Sequence, residues 1–291
     1  MVRVAVFGTG RMGTIHIRNL LQLSEVSIVY VVSGSAGSEQ RIRSTFPSLF
    51  SDPRHSSTFL LPQHQSRVFD DPKVEAVVIA SPTSSHAAQI EAALKAGLEV
   101  FSEKPLGASA AEARRLAALA KAEGRLLFVA FHRRFDASFG AVKERVGSGQ
   151  LGAVHFIRSC SRDPLSIFHP KHVGQHSIFV DSMVHDLDLA CWLTGERANW
   201  DVVTVNLSFP SGALATIDQS RLAPAYDNRL EVLCAKGQAI VSNEAVNSAE
   251  FTDSSGHPTR SPPLPYFTQR YAQAYAAELR HFFALLKGPS L

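Results

Sequence analysis

The sequence is poor in cysteine, tryptophan and methionine, and its few cysteines form no recognisable pair. Its 291 residues include three cysteines, Cys160, Cys191 and Cys234, which lie far apart and lack metal-ligand spacing. An odd number of scattered cysteines is typical of isolated thiols in a reducing compartment rather than of a disulfide framework. We therefore expect a cytoplasmic protein.

Long apolar runs and runs of one charge are also missing. No stretch reaches the ~18 uninterrupted apolar residues that indicate a membrane-spanning helix. The apolar residues after Met1 end in a glycine-rich segment, which is unlike a signal peptide. The 29 basic residues nearly balance the 26 acidic ones, with a formal net charge of +3 and no basic cluster. These absences predict no membrane anchor and no nucleic-acid partner.

The first part of the chain alternates short apolar runs with helical periodicity. The apolar runs, each predicted to be a buried strand, are 2–7, 26–32, 76–80, 97–103 and 125–131. The stretches with apolar residues at three- and four-residue spacing are 12–23, 86–96 and 109–123. Strands that are apolar on both faces and alternate with helices indicate a parallel sheet covered on both sides. Residues 1–131 are therefore predicted to form a doubly wound α/β domain.

The pattern changes after residue 131. A predicted helix at 137–148 precedes strands with period-two alternation at 153–161, 199–209, 214–222 and 230–242, then a short strand near 250–253. Such alternation indicates a sheet with one covered face, here by predicted helices at 180–193 and 272–286. The Pro- and Ser-rich stretch 254–265 is predicted to be a surface loop. Residues 132–291 should form an α+β domain with a large, mostly antiparallel sheet.

A glycine-rich turn joins the first predicted strand to the first predicted helix. Its sequence is Gly8-Thr9-Gly10-Arg11-Met12-Gly13. In a dinucleotide site of this pattern, the first glycine permits a tight turn and the second lets the backbone approach the diphosphate. The third allows the helix to pack closely on the strand. The helix N-terminus adds free N–H donors and a positive dipole end. The turn therefore predicts a nicotinamide-dinucleotide site.

The end of the second strand bears on which dinucleotide binds. NAD sites usually have Asp or Glu there, whereas this sequence has Ser33 and no carboxylate until Glu39. A missing acid removes the repulsion that excludes a 2′-phosphate, and Arg41 and Arg43 follow closely enough to add positive charge. We therefore predict NADP or NAD, with NADP slightly favoured. The alternative is that both arginines are ordinary solvated helix residues, which leaves the choice open.

Three further segments carry polar groups suited to chemistry. Ser81 to His86 and Ser102 to Pro105 each follow a predicted strand, at the sheet edge where ligands bind in open α/β folds. In a later predicted helix, Asp181 and His185 are four residues apart and therefore share a face. Asp188 lies on a similar face of that helix, whereas Asp186 points elsewhere.

With these segments, the sequence resembles the Gfo/Idh/MocA oxidoreductases, and within them the inositol dehydrogenases. The resemblance extends from Val2 to about Leu286. It rests on the glycine turn and on SPTSSH (81–86), SEKPLG (102–107), FHRRFD (131–136), SRDP (161–164) and D-x-x-x-H-D-x-D (181–188). It implies an N-terminal Rossmann domain, a C-terminal α+β domain, and NAD(P)-dependent oxidation of a secondary hydroxyl on a cyclitol or sugar.

The resemblance also implies roles for individual residues. Lys104, Asp181 and His185 would be catalytic, because an imidazole can take the hydroxyl proton, a carboxylate can orient it, and an ammonium can hold the reacting oxygen. The implied dinucleotide-binding residues are Gly8, Thr9, Gly10, Arg11, Met12, Gly13, Ser33, Ser81, Pro82, His86, Glu103 and Lys104. The implied substrate-binding residues are Lys104, Arg162, Asp163, Asp181, His185 and Tyr226. Pro105 would follow a peptide bond that is often cis in the family. No metal is predicted, because His16, His169, His172 and His176 lack a matching ligand set.

Three departures from the family keep other functions open. His132 stands where family inositol dehydrogenases commonly have Asn, and the segment 174–177 differs from the usual Ser-Gly-Gly-like stretch. The family also usually continues past Leu291 to a final helix that returns to the first domain. The alternatives are a dehydrogenase of the same fold for an aldose or a trans-dihydrodiol, and a non-catalytic dinucleotide-binding regulator.

The resemblance implies a homo-oligomer, either a dimer or a tetramer. Family members pair the open faces of their antiparallel sheets, and Val203, Val205 and Leu207 alternate with polar neighbours in the manner of an apolar face. The alternative is that this face is covered only by helices of the same chain.

Overall fold

The computed structural model describes residues 1–34, 36–164, 182–196, 199–201, 205–223 and 225–286, with backbone alone at 36, 162–164, 199–201 and 219–223. These residues divide into two compact units. The first contains Met1–Phe131 and the C-terminal segment from Tyr275 onward, and the second contains His132–Ala274.

The first unit is built on a six-stranded sheet in the order β3-β2-β1-β4-β5-β6. Its strands are β1 (Val2–Phe7), β2 (Val26–Val32), β3 (Thr58–Leu60), β4 (Ala76–Ile79), β5 (Glu99–Ser102) and β6 (Leu127–Val129). All neighbouring strands are parallel. The order reverses direction at β1 and β4, which is the switch point where ligands bind in doubly wound folds. The predicted parallel sheet is confirmed, although β3 was not predicted.

Helices connect these strands in the first unit. They are α1 (Arg11–Leu20), α2 (Ala36–Thr45), α3 (Ser48–Ser51), α4 (Ser66–Asp70), α5 (Thr83–Lys95) and α6 (Ala110–Glu123). Helix α6 has the clearest local signals, because Ser109 caps its N-terminus by accepting from the Glu112 N–H and Gly124 ends it in a left-handed conformation. Sequence periodicity did not predict α2 to α4, which are short or strongly polar.

The second unit contains a six-stranded sheet in the order β12-β11-β7-β10-β9-β8. Its strands are β7 (Val154–Pro164), β8 (Asn199–Asp201), β9 (Val205–Ser208), β10 (Leu214–Ala223), β11 (Asp227–Cys234) and β12 (Gly237–Val241). Only β7 and β10 pair in parallel among these described strands. The unit also has a small hairpin of β13 (Glu250–Thr252) and β14 (Pro258–Arg260), and the helices α7 (Ala137–Gly147), α8 (Val184–Thr194) and α9 (Phe267–Arg270).

Three predicted segments of the second unit have different structures. The predicted strand 199–209 is two strands, because β8 pairs antiparallel with β9. The predicted strand 230–242 is likewise the hairpin of β11 and β12, and the predicted loop 254–265 contains β14. In the first two cases the period-two pattern was interpreted as one continuous strand, because it does not show where one strand ends and the next begins.

The last helix, α10 (Ala272–Leu286), packs differently from the prediction. It was expected to cover the antiparallel sheet. Its buried residues Leu279, Phe282 and Phe283 instead belong to the core of the first unit, together with Val4 and Ile17. The sequence showed that this helix has an apolar face, but a helical period carries no information about which sheet that face meets.

The structure bears on the cysteines and on possible membrane-spanning helices, two features considered in the sequence. Cys160, Cys191 and Cys234 are all free thiols, and the first and third are buried. Within the described ranges, no helix has both the length and the apolar character needed to cross a bilayer.

Candidate active site

The glycine turn at the end of β1 is shaped by two positions that exclude a side chain. Gly8 has φ +95°, and a Cβ there would lie 2.3 Å from the Ala80 carbonyl oxygen. A Cβ at Gly13 would lie 2.1 Å from the Gly8 carbonyl oxygen. The Gly8 N–H donates to the Val32 carbonyl at 2.8 Å, which ties the turn to the end of β2. Both glycines are therefore required by backbone contacts within the turn.

Gly10, unlike Gly8 and Gly13, has open space where a side chain would lie. Apart from its neighbours in the chain, no heavy atom of the described residues lies within 4 Å of a Cβ placed on Gly10. Helix α1 begins at the next residue with no acidic side chain in its first turn and no side-chain cap. Arg11 is exposed beside it and Met12 is half-buried. An open glycine before an uncapped, acid-free helix N-terminus fits a diphosphate, since the helix dipole and N–H groups favour an anion there.

The end of β2 brings three polar side chains together. The Ser33 hydroxyl is buried and lies 2.6 Å from the Thr9 hydroxyl. The Arg41 guanidinium donates to the Thr9 carbonyl at 2.9 Å. Arg43, by contrast, binds Glu39 and lies over the Phe50 ring, 4.0 Å from its centroid. Of the two arginines considered from the sequence, only Arg41 contacts the glycine turn.

His86 connects the two polar segments at the carboxyl edge of the sheet. Its Nδ1 lies 2.8 Å from the Pro105 carbonyl oxygen and its Nε2 lies 2.9 Å from the Ser81 carbonyl oxygen. The ring is 1% exposed, and Pro82 precedes α5 as its N-terminal flanking residue. His86 therefore holds two loop segments together, which is a positioning role rather than direct exposure to a ligand.

The segment after β5 carries Glu103 and Lys104. The Glu103 N–H donates to the Ile79 carbonyl at 2.8 Å, which extends the sheet pairing by one residue. Its buried carboxylate lies 2.8 Å from His16 Nε2 on α1. Lys104 is half-buried, and the Lys104–Pro105 peptide bond is cis, as the resemblance implied. From the sequence, His16 was considered only as a metal ligand, and its hydrogen bond to Glu103 was not predicted.

In the second unit, His185 lies near the start of α8 and contacts a second histidine. The ring centroids of His185 and His132 are 4.7 Å apart and the rings meet edge to face. His132 also meets the Tyr271 ring at 4.7 Å. Burial raises the pKa of Tyr271 to about 12, so the phenol next to His132 keeps its proton at any ordinary assay pH.

Two arginines hold the start of α8 in place. Arg133 donates to Asp186 at 2.7 Å, and both side chains are buried. Burial disfavours the charged guanidinium, but the Asp186 carboxylate raises the pKa of Arg133 above its ordinary value. The neighbouring Arg134 forms two hydrogen bonds to Asp188, whose pKa is raised by burial and lowered less strongly by that arginine.

Both segments, 131–136 and 181–188, were recognised in the sequence, but their pairing was not predicted. Asp188, predicted to lie on a face similar to that of His185, is engaged by Arg134. Two consecutive arginines at 133–134 and acids at 186 and 188 are the only signal that could have indicated the pairing.

Comparisons with known proteins place these features in one family. A model of the oxidoreductase family with an NAD-binding Rossmann fold matches residues 2–131, and a GFO/IDH/MocA C-terminal domain model matches residues 139–200. The myo-inositol 2-dehydrogenase of Thermotoga maritima is 33% identical over 98% of this chain and 88% of its own length. The chain belongs to the Gfo/Idh/MocA oxidoreductase family.

Other relatives in this Gfo/Idh/MocA family are similar over nearly the whole of this chain. The inositol 2-dehydrogenase of Rhizobium meliloti is 30% identical over 98% of this chain and 89% of its own length. The crystal structure of a myo-inositol dehydrogenase from Corynebacterium glutamicum has a TM-score of 0.84 and 26% identity, covering 99% of this chain and 89% of that one. The predicted fold class, a Rossmann domain followed by an α+β domain, is confirmed.

Several site residues implied by the Gfo/Idh/MocA resemblance are placed only in part. Tyr226 is buried and its ring lies 6.1 Å from the Tyr266 ring, immediately before β11. Arg162 and Asp163 are in β7, where Arg162 pairs with Asp227 in the backbone register, but their side chains lie outside the described part of the chain. Asp181, like the segment 174–177, also lies outside the described residues.

Proposed function

We propose that the protein is an NAD(P)-dependent dehydrogenase that oxidises a secondary hydroxyl of a cyclitol, with myo-inositol as the first candidate. The observation that carries the proposal is the first unit's sheet edge, where the open Gly10 turn and the Glu103–Lys104 segment follow strands of one parallel sheet. The inositol dehydrogenases among the relatives support the choice of substrate.

The reaction divides between the dinucleotide and the side chains. When held at the glycine turn, the dinucleotide would supply the acceptor for the hydride that leaves the carbon bearing the hydroxyl group. In our proposal, His185 takes the hydroxyl proton, Lys104 holds the reacting oxygen and stabilises its negative charge, and Asp181 orients the imidazole. Glu103 supports the nicotinamide end of the dinucleotide.

The remaining implied residues would bind the other hydroxyl groups. Arg162 and Asp163 provide charged groups suited to paired hydrogen bonds with a polyol, and Tyr226 provides a phenol. These three assignments rest on the family resemblance, and they decide which cyclitol is preferred rather than whether hydride transfer occurs.

The proposal is tested by following nicotinamide absorbance with purified protein. Myo-inositol, scyllo-inositol, an aldose and a trans-dihydrodiol should each be tried with NAD and with NADP at neutral and alkaline pH. We expect the highest kcat/KM with an inositol. A higher kcat/KM with the aldose or the dihydrodiol would show that this compound, and not an inositol, is the preferred substrate. Dinucleotide binding without turnover of any of them would support the non-catalytic regulator instead.

The dinucleotide site itself supports a preference for NADP over NAD. Ser33 carries no charge that would repel a 2′-phosphate, and the Arg41 guanidinium binds the glycine turn at Thr9, whose hydroxyl contacts that of Ser33. We expect Arg41→Ala to weaken NADPH binding by about tenfold, equivalent to about 1.4 kcal/mol, with little change for NADH. Titration of intrinsic nicotinamide fluorescence measures both dissociation constants.

Arg43→Ala is the matched control for this prediction, because Arg43 is on the same helix but binds Glu39. It should leave both affinities unchanged. Equal losses of NADPH and NADH affinity in Arg41→Ala would show that Arg41 only supports the turn, and the preference for NADP would then have no basis.

We also propose that the protein is a homo-oligomer, dimer or tetramer, that uses the open face of the second sheet. Of the residues first considered for this face, Val205 and Leu207 are buried within the chain, and Val203 lies outside the described residues. The exposed apolar residues are instead Leu214 (52%), Leu233 (46%) and Ile240 (60%). Leu214 and Leu233 both stand opposite Phe156 of β7, in one row across three strands.

A charge placed on this row is expected to separate the subunits. Leu233→Lys should reduce the mass measured by light scattering to that of the monomer, because an interface core rarely accepts an unpaired charge. Val246→Lys, at a position that is 63% exposed and outside the sheet, should leave the mass unchanged. A wild-type protein that is already monomeric at micromolar concentration would contradict the proposal.

The three free thiols support a further part of the proposal, a cytoplasmic location. Reduced cysteines persist in that compartment, whereas secreted proteins tend to pair them. Fractionation of cells that express the protein measures this directly, and recovery in the extracellular or periplasmic fraction would contradict it.

A further inference from the structure

Glu278 of α10 is a buried acid without a hydrogen-bond partner among the residues that the structure describes. Its side chain is 0% exposed, and neither carboxyl oxygen has a hydrogen-bonding neighbour in that part of the chain. One ligand atom each of Glu278, Glu103 and His16 lie within 4.8 Å of one another, and all three side chains are buried. A buried carboxyl group with two unsatisfied oxygens is costly unless it is neutral or serves a nearby group.

The groups around Glu278 favour the neutral acid. His16 faces it from α1, Glu103 faces it from the end of β5, and Tyr275 lies one turn earlier on α10 with its ring 6.3 Å from that of His16. The ring of Phe101 contacts the same imidazole at 5.2 Å. Burial and the nearby Glu103 carboxylate raise the pKa of Glu278 well above its ordinary value of 4.5.

The cluster joins the two segments that form the proposed dinucleotide site. His16 is three residues beyond Gly13 on α1, whose N-terminus receives the diphosphate in our proposal. Glu103 precedes Lys104 directly. The hydrogen bond between His16 and Glu103 therefore fixes the Lys104 segment to the diphosphate helix, and Glu278 lies next to both partners.

We propose that Glu278 is a positioning residue for dinucleotide binding, and that it works by holding a proton beside the hydrogen-bonded pair of His16 and Glu103. As a neutral acid it places no second carboxylate next to Glu103, so the hydrogen bond between Glu103 and His16 is kept. When Glu278 loses that proton, a second carboxylate repels Glu103 and loosens its contact with α1. The inference rests on the proposed dinucleotide site and adds to it a dependence on pH.

The sign of the effect on stability follows from the direction of the shift. An acid whose pKa is raised on folding stabilises the folded state fully below its unfolded pKa, here 4.5, and that contribution is lost as the pH rises toward the folded pKa. Wild-type protein should therefore lose stability relative to Glu278→Gln as the pH rises above that value. The glutamine variant keeps the shape and cannot ionise.

The experiment measures NADH and NADPH dissociation constants of the full chain between pH 6 and pH 10. Over the range in which Glu278 ionises, wild-type dissociation constants should rise with pH, by at most about tenfold per pH unit for one linked proton. Glu278→Gln should bind as well as wild type at pH 6 and lose this rise. Glu123→Gln, an exposed position on α6, should follow wild type throughout.

Each outcome separates the inference from the function on which it rests. A wild-type affinity that does not change with pH overturns the inference, whatever the variants do. The same is true if Glu278→Gln shows the wild-type rise, or if purified protein contains one divalent metal ion per chain, because both carboxylates would then be ionised ligands. If no dinucleotide binds at any pH, the proposed function fails first.

Discussion

Replacing Lys104 with methionine is expected to reduce kcat with inositol by about 10²–10⁴-fold while dinucleotide affinity stays within about threefold of wild type. Methionine keeps the length of the side chain and removes the ammonium that holds the reacting oxygen in our proposal. Lys104 is half-buried and lies beyond the end of β5, so the substitution should leave the sheet intact. Stopped-flow absorbance and a nicotinamide fluorescence titration measure the two quantities separately.

His185→Asn is the companion variant in the second unit. It should lower kcat over the same range, because it removes the proposed proton acceptor but keeps a polar side chain. The control is Lys95→Met, since Lys95 is an exposed lysine paired with Glu91 on α5. If Lys104→Met and His185→Asn turn over inositol at rates within about threefold of this control, the catalytic assignment is wrong and a non-catalytic role becomes the better interpretation.

Arg133→Met is expected to produce the largest loss of stability, about 3–5 kcal/mol in the second unit. Asp186 is 0% exposed and accepts hydrogen bonds from Arg133, Ser159 and Ser161 on a single carboxylate oxygen. Without the guanidinium, that carboxylate stays buried without its positive partner. The cost is the uncompensated charge rather than the hydrogen bond alone.

Urea unfolding followed by tryptophan fluorescence measures this loss of unfolding free energy in the second unit. The chain has two tryptophans, Trp192 and Trp200, and both belong to the second unit. Arg134→Met is the matched control, because the Arg134 side chain is 39% exposed and its ion pair should contribute only about 1 kcal/mol or less. A loss no greater than that of the control would show that Asp186 finds other compensation.

The first unit could be predicted well because each of its signals is local. Gly8, Gly10 and Gly13 lie within one turn, and a buried parallel strand needs only a short apolar run. Residues 2–7 and 26–32 were therefore predicted as β1 and β2 with their observed bounds. The helices α2 to α4 and the strand β3 were not predicted, because their sequences are short or polar and show no clear hydrophobic period.

Contacts between distant segments could not be predicted in the same way. The pairing of Arg133 with Asp186 spans 53 residues, and the opposite charges of the two segments are its only sign in the sequence. The burial of Glu278 on the first unit depends on where α10 packs, which its apolar period does not specify. Asp181, Arg162 and Asp163 remain predictions, since they rest on the resemblance and not on described side-chain geometry.

The two bonds of His86 have a thermodynamic consequence for ligand binding. One imidazole holds the carbonyls of Ser81 and Pro105, so displacement of either segment disturbs the other. If a dinucleotide settles against the first and a substrate against the second, each will alter the other's affinity by the same factor, because such a coupling free energy is reciprocal. His86→Ala should then bring the ratio of dinucleotide affinities with and without inositol toward one. It should also change the order in which dinucleotide and substrate bind, which steady-state kinetics can detect.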